Sequence, residues 1–474
     1  MTNATHLYKR RWVFLCVLIV LQLICSYNFA GFGQINDVYA GYFKVTYAQT
    51  DWMTIASFAG VVLISPFLAA LSYFHVVALR NLIITAAVCV LFAFLCISTS
   101  LVQPLLFPLL VIGQLFNGCA GAILVSIPSI FAALWFPDSQ IGTAISLNMF
   151  GISVGNVLGF IVPVTVLHYP VSDNTTNSTL INNARIVQDR VVLLEMYFSF
   201  LSVAIAVAVF FVAFLTDKPP QPPSLCQAAK RDIVDKTKRT FYGFLRDTWA
   251  LFSLNYAMLA LIFGIIFHIN AWQYTMMGEM IRFIAHTQQI AIPPDVFGGL
   301  IMASTAVSGA VGSVVSGKIV DTYKRFKLQA FVGALAACLF SVGLTLAFYF
   351  RSILAIALSN AMFGFAVRIC IVPVYELVLE QTYPTDESFV SIWLSGAQTV
   401  IGVAAAEVGR IIYDAAKVLP VTIFQTCALF LALVLAAAVK PKYNRRAQQQ
   451  ALETQSILEE NTRLVTENDT RNGF

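Results

Sequence analysis

Residues Ile127–Gly155 read IPSIFAALWFPDSQIGTAISLNMFGISVG, and residues Val372–Gly402 read VPVYELVLEQTYPTDESFVSIWLSGAQTVIG. Both stretches have a proline early in an apolar run, an aromatic-proline pair that ends the run, and an acidic residue soon after. In each stretch a glycine, Gly155 or Gly402, follows the second proline by eighteen residues. A match over two apolar runs and their connection indicates an internal repeat, so the chain consists of two related halves.

The repeat belongs to a chain with the composition of an integral membrane protein. Its 474 residues are 58% hydrophobic and 11% charged, and the mean hydropathy is +0.78. Such a chain cannot cover itself with a charged, water-facing surface. Apolar runs of about 20 residues, the length that a helix needs to cross about 30 Å of hydrocarbon, recur along the whole chain. We place twelve such runs at 12–33, 52–74, 82–99, 104–128, 141–166, 192–215, 248–272, 296–320, 328–350, 352–377, 389–413 and 418–439.

The longest internal break divides the runs into six and six. It begins with DKPPQPPS from Asp217, a stiff polyproline-like segment, and continues with a basic amphipathic stretch that we expect to lie on the membrane surface as a helix. The predicted fold is therefore all-α, with twelve transmembrane helices in two six-helix halves. The predicted divisions are an N-terminal segment at 1–11, the first half at 12–215, a central loop at 216–247, the second half at 248–439 and a tail at 440–474.

The distribution of basic residues predicts the orientation. With the N-terminus inside, nineteen Lys and Arg residues flank the runs on one side and six on the other. The positive-inside rule then places both termini in the cytoplasm. The loop after the fifth run contains NTTNST, with glycosylation acceptors at Asn174 and Asn177 on the opposite, external side. We expect a monomeric glycoprotein of the plasma membrane.

Several classes of protein are disfavoured by the residues themselves. The nine cysteines lie singly, without the paired spacing of a disulfide or metal framework. The net charge of +5 is explained by the cytoplasmic flanks, which face an anionic leaflet, so it does not indicate a nucleic-acid partner. His268 and His286 stand apart from any nucleophile or second ligand, and we interpret both as structural. We therefore predict no catalytic residue, no cofactor and no enzymatic activity. A channel is also disfavoured, because no pore-lining ring or re-entrant polar loop is visible.

A parallel repeat of six helices is the layout of the major facilitator superfamily, whose halves rock around a site near the membrane midplane. The segment GKIVDTYKRFK, from Gly317, resembles the loop signature of that superfamily, a Gly and an Asp four residues apart followed by basic residues. The equivalent place in the first half reads LSYFHVVALRN, where the acid is replaced and Arg80 persists.

Further segments carry a closer resemblance. They are RRWVFLCVL, INDVY, DWM, IPSIFAALWFP, MFGISVGNVLGFIVP, YELVLEQTYP and SGAQTVIG. Together they resemble the feline leukaemia virus subgroup C receptor-related transporters, over nearly all of residues 9–438. The resemblance implies a facilitator in the lipid bilayer with choline or ethanolamine as its small-molecule substrate. Haem export is an alternative, and a receptor or scaffold that does not transport would keep the same packing motifs.

The resemblance also implies a substrate site. In that family a tryptophan on the first helix, an aromatic residue on the seventh, and glutamines on the fifth and eleventh hold choline. A quaternary ammonium binds best against aromatic faces. The first-helix tryptophan is replaced here by Phe29 and the fifth-helix glutamine by Ser153, so a related amine or another small solute is an alternative to choline. The candidate substrate-binding residues are Phe29, Gln114, Ser153, Trp272, Tyr274 and Gln398.

Other roles for some of these residues remain open. Phe29 and Trp272 have packing against neighbouring helices or lipid as an alternative. For Asn117 and Asn148 we favour hydrogen bonds between helices. We interpret Gly151 and Gly155 as positions of close helix packing.

Charges within the runs are scarce. The first, second, fourth, fifth, seventh and eighth runs contain no acidic residue at mid-depth, which favours facilitated diffusion over coupling to protons. Arg368 is the exception, midway along the tenth run. It either serves an anionic substrate or pairs with carbonyls or a carboxylate of a neighbouring helix, and we expect the second.

Two glutamates near the end of the tenth run suggest a gate. Glu376 and Glu380 are four residues apart and share a helix face. Both lie at the membrane level of the loop that contains Asp321, Lys324 and Arg325. We predict that the acidic face and the basic loop form a cytoplasmic latch, closed when the carrier faces outward. The alternative is that Glu380 is merely solvated at the interface.

Overall fold

The computed structural model describes residues 7–33, 35–74, 78–137, 139–167, 178–216, 218–221, 223, 240–288, 294–448, 450–451 and 454. The predicted acceptors Asn174 and Asn177 lie outside these residues. So do His75, most of the central loop and most of the tail.

Long α-helices make up nearly all of the described chain, and no strand occurs in it. They are α1 (Arg10–Gly31), α2 (Asn36–Phe43), α3 (Tyr47–Tyr73), α4 (Leu79–Ser100), α5 (Phe107–Trp135), α6 (Ile141–Val166), α7 (Ser178–Phe214), α8 (Phe241–Leu251), α9 (Leu254–Gln288), α10 (Pro294–Tyr323), α11 (Phe326–Tyr349), α12 (Ile353–Thr382), α13 (Glu387–Ala416) and α14 (Val418–Ala438).

Eleven of the described helices are long and apolar enough to cross a membrane. Helix α8 and the beginning of α9 supply a twelfth span if they are counted as one, although the chain bends by 70° between them. The bend explains why the helix of the seventh run begins at Leu254 rather than near 248. Two helices are also longer than the predicted runs, because α7 begins at Ser178 rather than 192 and α9 ends at Gln288 rather than 272. The predicted all-α architecture is confirmed.

Helix α8 is the described end of the amphipathic stretch in the central loop. Phe244 and Leu251 are buried, whereas Tyr242 and Trp249 are 77% and 85% exposed. Exposed aromatic side chains at the end of a membrane span are typical of the interfacial region between lipid and water.

The repeated prolines end the same helices in both halves. Helix α5 ends at Trp135, two residues before Pro137, and α12 ends at Thr382, two residues before Pro384. Proline removes a backbone donor and restricts the residue before it, so a helix ends readily there. The next helix, α6 or α13, begins within a few residues, as the repeat predicts.

The halves meet along two related interfaces. Helix α6 of the first half packs on α10 of the second, and α3 of the first half packs on α13 of the second. Exchanging the two halves converts one pair into the other, because α6 corresponds to α13 and α3 to α10. The repeat is therefore also a repeat of packing, and it leaves a space between the halves.

Candidate substrate cavity and gate

A cavity of about 120 Å³ lies between the two halves. Its described lining comes from α1, α3, α5 and α6 of the first half and from α9, α12 and α13 of the second. Because every movement of one half against the other changes this lining, the cavity is placed where a carrier needs its substrate site.

Rings and one guanidinium form a continuous row along the cavity. The ring centroids of Phe29 and Phe58 are 5.7 Å apart, and those of Phe58 and His268 are 5.2 Å apart. His268 lies 5.4 Å from the ring of Phe267, and Cζ of Arg368 lies 5.9 Å from the other end of this row, the Phe267 ring. The cavity thus has an aromatic end on α1 and α3 and a cationic end on α12.

Several buried polar atoms of the lining have no hydrogen-bond partner within the described part of the chain. They include Oε1 of Gln398, both ring nitrogens of His268, and Oδ1 of Asn117. Gln398 is 2% exposed and His268 4%. A buried polar group without a partner is costly, and native structures retain such groups mainly where a ligand or water completes them. These atoms are therefore available to a bound solute.

The predicted substrate residues divide into three groups. Phe29 and Gln398 lie on the cavity wall. Ser153 and Gln114 are buried outside the described lining. The side chains of Trp272 and Tyr274 lie outside the described residues.

Ser153 and Gln114 serve the packing of helices in this structure. The Ser153 hydroxyl donates to the Met149 carbonyl oxygen of its own helix at 3.3 Å. Gln114 accepts a hydrogen bond from Ser57 at 2.8 Å and donates to Asn28 at 3.4 Å, which links α5 to α3 and α1. Both residues had been predicted at the substrate site, and both satisfy their polar groups within the helix bundle.

The cavity also contains residues that the sequence did not single out for substrate binding. Phe58 and Phe267 resembled any other aromatic residue of an apolar run, and His268 was interpreted as structural. The sequence feature that could have marked His268 as a cavity residue is a titratable side chain in the middle of an apolar run. Asn117 donates to the Cys25 carbonyl oxygen at 3.4 Å, as expected of a residue that links helices, and lines the cavity as well.

Arg368 is 3% exposed and belongs to the cavity lining. Nη1 of its guanidinium approaches Sδ of Met149 at 3.8 Å. Met149 is on α6, so Arg368 extends from the second half towards the first. A permanent positive charge therefore faces the space between the halves.

The repeated glycines have unequal surroundings. A Cβ atom on Gly155 would fall 2.4 Å from the Leu23 carbonyl oxygen, so this glycine permits close packing of α6 on α1, as predicted. A Cβ atom on Gly402 would fall 2.0 Å from Cγ of His268. The imidazole of the cavity wall thus occupies the space that any larger residue at 402 would need.

Asp321, at the end of α10, joins the two halves at the end of the bundle where α1 begins. Its carboxylate accepts hydrogen bonds from the backbone nitrogens of Gly142 at 3.0 Å and Thr143 at 2.8 Å, and from the Thr143 hydroxyl. These groups form the N-terminus of α6, which has no side-chain cap of its own. A carboxylate there satisfies unpaired donors and meets the positive end of the helix dipole.

The two glutamates of α12 bind arginines beyond α14. Glu376 and Glu380 are each 1% exposed, so neither is solvated. The Arg445 guanidinium lies 2.9 Å from a carboxylate oxygen of Glu376 and 3.2 Å from one of Glu380. The backbone nitrogen of Arg446 donates to Glu380 at 3.3 Å.

These contacts correct the prediction of which basic residue binds the two glutamates. Lys324 and Arg325 were expected to pair with the glutamates, but Arg445 occupies that position. The loop still takes part, because the Arg446 guanidinium donates to the Lys324 carbonyl oxygen at 2.8 Å. These described contacts lie within the second half and join its helices to the segment after α14, whereas Asp321 connects the halves.

Comparison with curated proteins returns transporters at low identity. The chain is 25% identical over 463 residues to the choline/ethanolamine transporter flvcr2a of Danio rerio, covering 94% of this chain and 90% of the relative. It is 24% identical to the choline/ethanolamine transporter FLVCR2 of Homo sapiens, covering 95% and 81%. An uncharacterized MFS-type transporter of Caenorhabditis elegans, C09D4.1, is 22% identical, covering 93% and 70%. The resemblance to these receptor-related transporters is confirmed.

Solved structures with the same fold include bacterial sugar symporters. The xylose symporter XylE superposes with a TM-score of 0.68 at 15% identity, covering 93% of this chain and 98% of XylE. The Escherichia coli fucose symporter FucP superposes with a TM-score of 0.60 at 13% identity, covering 92% and 100%. At such identities the superpositions speak for the fold alone. The family model described as Major Facilitator Superfamily matches residues 15–406. The two packed halves, the cavity between them and this match together show that the chain belongs to the major facilitator superfamily.

Proposed function

We propose that the chain carries a small organic amine of the choline and ethanolamine class across a membrane by alternating access. The full-length relatives named choline/ethanolamine transporters support this substrate class. The superfamily fold supports the mechanism, in which the halves rock around the cavity.

The cavity carries the proposal because it combines aromatic faces with an unsatisfied acceptor. Phe29 and Phe58 present π faces to an ammonium group, for which a cation–π contact contributes about 0.5–2 kcal/mol. Oε1 of Gln398 lacks a partner among the described residues and accepts the hydrogen of a substrate hydroxyl. An amino alcohol has both groups that this arrangement would bind.

The size of the cavity favours a small solute over haem. Its volume of about 120 Å³ is of the order of the roughly 150 Å³ apolar cavity that takes a single benzene molecule. A haem macrocycle is several times larger. A non-transporting receptor or scaffold is disfavoured by the unsatisfied polar atoms of the lining, because packing alone would not preserve them.

The remaining features of the proposal concern the membrane. Both termini face the cytoplasm, the loop with Asn174 and Asn177 is glycosylated outside, and the chain acts as a monomer in the plasma membrane. Transport is facilitated diffusion, because the runs around the cavity contain no acid at mid-depth. The Asp321 contact closes the cytoplasmic end of the cavity and breaks when that end opens.

Uptake into proteoliposomes tests the proposal. The full chain should take up labelled choline or ethanolamine, and Gln398→Ala should lower the uptake about tenfold, since one lost hydrogen bond to a buried group costs about 1–3 kcal/mol. Gln329→Ala is the matched control, because Gln329 is buried and donates to Ser316 away from the cavity. If the chain takes up neither choline nor ethanolamine, the proposed substrate class is refuted, whether or not the chain takes up haem. If Gln398→Ala and Gln329→Ala lowered uptake equally, Gln398 would not be a substrate-binding residue.

Enzymatic deglycosylation on intact cells tests the orientation. The wild-type chain should lose apparent mass, and a chain with Asn174→Gln and Asn177→Gln should start at the lower mass and not change. A wild-type chain that is insensitive to the enzyme would contradict an external loop.

A further inference from the structure

The side-chain amide of Asn117 is held between two helices by its nitrogen alone. Nδ2 of Asn117, on α5, donates to the Cys25 carbonyl oxygen of α1 at 3.4 Å, and Sγ of Cys25 donates to the Asn117 carbonyl oxygen at 3.6 Å. Because a carbonyl oxygen only accepts hydrogen bonds, the first contact fixes which end of the amide faces α1. Oδ1 of Asn117 is therefore an acceptor, and it has no partner in the described part of the chain.

This oxygen belongs to the wall of the cavity. Asn117 is 2% exposed and is part of the described lining. A buried acceptor without a donor destabilises the protein, and a solute that brings an N–H or O–H group removes that cost. A role in linking helices explains the amide nitrogen of Asn117 but leaves its oxygen unexplained.

Asn117 lies at the aromatic end of the cavity. The carbonyl oxygen that it contacts in α1 is the one that accepts the backbone N–H of Phe29, one turn later. Helix α5 also packs closely on α3, because a Cβ atom on Gly118 would lie 1.8 Å from the Ser57 carbonyl oxygen, and Phe58 follows Ser57. The rings of Phe29 and Phe58 are 5.7 Å apart. Asn117 thus contacts the turn of α1 that carries one ring and adjoins the segment of α3 that carries the other.

Ammonium groups differ in what they offer to this oxygen. A primary ammonium has three N–H donors, whereas a quaternary ammonium has none. At the pair of rings, a group with an N–H satisfies Oδ1 of Asn117, and a quaternary group leaves it unpaired. A site that forms a hydrogen bond with its substrate rejects the analogue that lacks the donor, because the buried polar group of the site stays unpaired.

We infer that Asn117 is a specificity-determining residue, which selects amines whose ammonium group keeps at least one N–H. That N–H donates to Oδ1 of Asn117, while the rings of Phe29 and Phe58 face the charge. One N–H is enough, so secondary and tertiary amines bind as primary amines do, and quaternary amines bind more weakly. The inference rests on the proposed function, because it assumes that the cavity holds an amine, and it narrows the class of amine.

Equilibrium binding to the purified full chain tests the inference with a methylation series. Ethanolamine, N-methylethanolamine, N,N-dimethylethanolamine and choline share a hydroxyl and carry one positive charge at neutral pH, and only choline lacks an N–H. Affinity should stay level or rise through the first three members, because each methyl group buries apolar surface against the rings. It should then fall about tenfold at choline, which leaves Oδ1 of Asn117 unpaired.

Substitutions of Asn117 assign the fall to its oxygen. Leucine has nearly the shape of asparagine but no acceptor, so Asn117→Leu should lower the affinity for the three amines with an N–H about tenfold and remove the fall at choline. A fall caused by the size of the fourth substituent would persist in this variant. Asn117→Asp keeps an acceptor oxygen in the same place and should keep the fall.

Asn360→Leu is the matched control. Asn360 is 0% exposed, its Nδ2 donates to the Thr305 hydroxyl oxygen at 2.6 Å, and its Oδ1 has no partner among the described residues. It lies outside the described lining of the cavity, so this variant should keep the fall at choline. If Asn117→Leu does not fold, the wild-type chain and Asn117→Asp decide the question. A carboxylate is the stronger acceptor, and the fall in Asn117→Asp should be at least as large as in the wild-type chain.

The outcomes separate this inference from the proposed function. If the wild-type chain binds choline as tightly as N,N-dimethylethanolamine, the inference is overturned and amine transport stands. A fall at choline that persists in Asn117→Leu, or that shrinks in Asn117→Asp, overturns it as well, because Asn117 would not set the preference. If none of the four amines binds or is taken up, the proposed function fails along with it.

Discussion

The interface of α6 with α10 and the interface of α3 with α13 are related by the repeat, yet their helix starts are capped in different ways. Helix α6 receives the Asp321 carboxylate from the opposite half. Helix α13 is capped by its own Asp386, which accepts from the Ser388 backbone nitrogen at 2.9 Å. Between α13 and α3, the hydroxyls of Ser72 and Ser388 share a hydrogen bond at 2.5 Å, and the rings of Tyr73 and Phe389 pack with their centroids 5.4 Å apart.

This difference shows how a repeat can keep its packing and distribute its charges unequally. A helix with an internal cap keeps that cap when the halves separate, whereas α6 loses the carboxylate of Asp321. At the position of Asp321, the first half has His75. Opening this end of the cavity should therefore cost more at the α6–α10 interface than at the α3–α13 interface.

The largest expected effect comes from Arg445→Ala, which breaks the cluster beside the Asp321 contact. Glu376, which is 1% exposed, would lose the cation that binds it, and Glu380, equally buried, would keep the weaker pair with Arg446 at 3.8 Å. Removing one partner of a buried ion pair typically costs about 3–5 kcal/mol. Thermal unfolding of the purified protein should show this loss. Arg246→Ala is the control, because its pair with Asp247 involves a side chain that is 69% exposed and should change stability by less than about 1 kcal/mol. If the two variants lost equal stability, the buried cluster would contribute no more to stability than an exposed ion pair.

Asp321→Asn should have the next largest effect, and it acts on opening rather than on folding. The amide keeps one acceptor but loses the charge that meets the N-terminus of α6, which contributes about 1–2 kcal/mol. We expect about tenfold faster labelling of Cys25, a cavity residue, by a maleimide added from the side where α1 begins. The measurement requires a background in which the other cysteines are replaced.

A matched acid outside the interface controls for the change in net charge. Asp414→Asn removes a carboxylate that is 61% exposed and pairs with Arg410 within α13. Its labelling rate should equal that of the parent chain. A rate for Asp321→Asn that does not exceed this control would mean that Asp321 does not hold the cavity closed.

The smallest expected effect is that of Asp386→Ala, which removes the internal cap of α13. Loss of an N-cap costs about 1 kcal/mol of stability. Because the cap and its helix move together, labelling of Cys25 should not accelerate. If Asp386→Ala opened the cavity as much as Asp321→Asn, the two interfaces would be equivalent and the comparison would not hold.

The fold could be predicted from the sequence because its determinants are local. Apolar length fixes the spans, prolines such as Pro137 and Pro384 end the helices, and the repeat gives the six-plus-six division. Phe29 and Gln398 were predicted from the register of the motifs around them, and both line the cavity. The cap that Asp321 provides was not identified, because its hydrogen bonds depend on how one half sits on the other.

The rest of the cavity could not be predicted for a physical reason. Helices that are apolar on all sides show little periodicity, so the sequence does not reveal which face of α3 or α9 carries Phe58 or His268 inward. The partner of Glu376 was missed because several cations lie at the same membrane level. Only the path of the chain beyond α14 brings Arg445 to it.

Gly402 has a consequence for how substrate range could diverge among relatives. The His268 ring occupies the space that a side chain at residue 402 would fill. A Cβ atom built on Gly402 would lie 2.0 Å from Cγ of the imidazole. An alanine at 402 would push the imidazole towards the solute and shrink the chamber, without altering any residue that touches the cargo. One methyl group behind the His268 ring would thus limit the size of the solute that fits. Substrate range could therefore change through a residue that does not contact the solute.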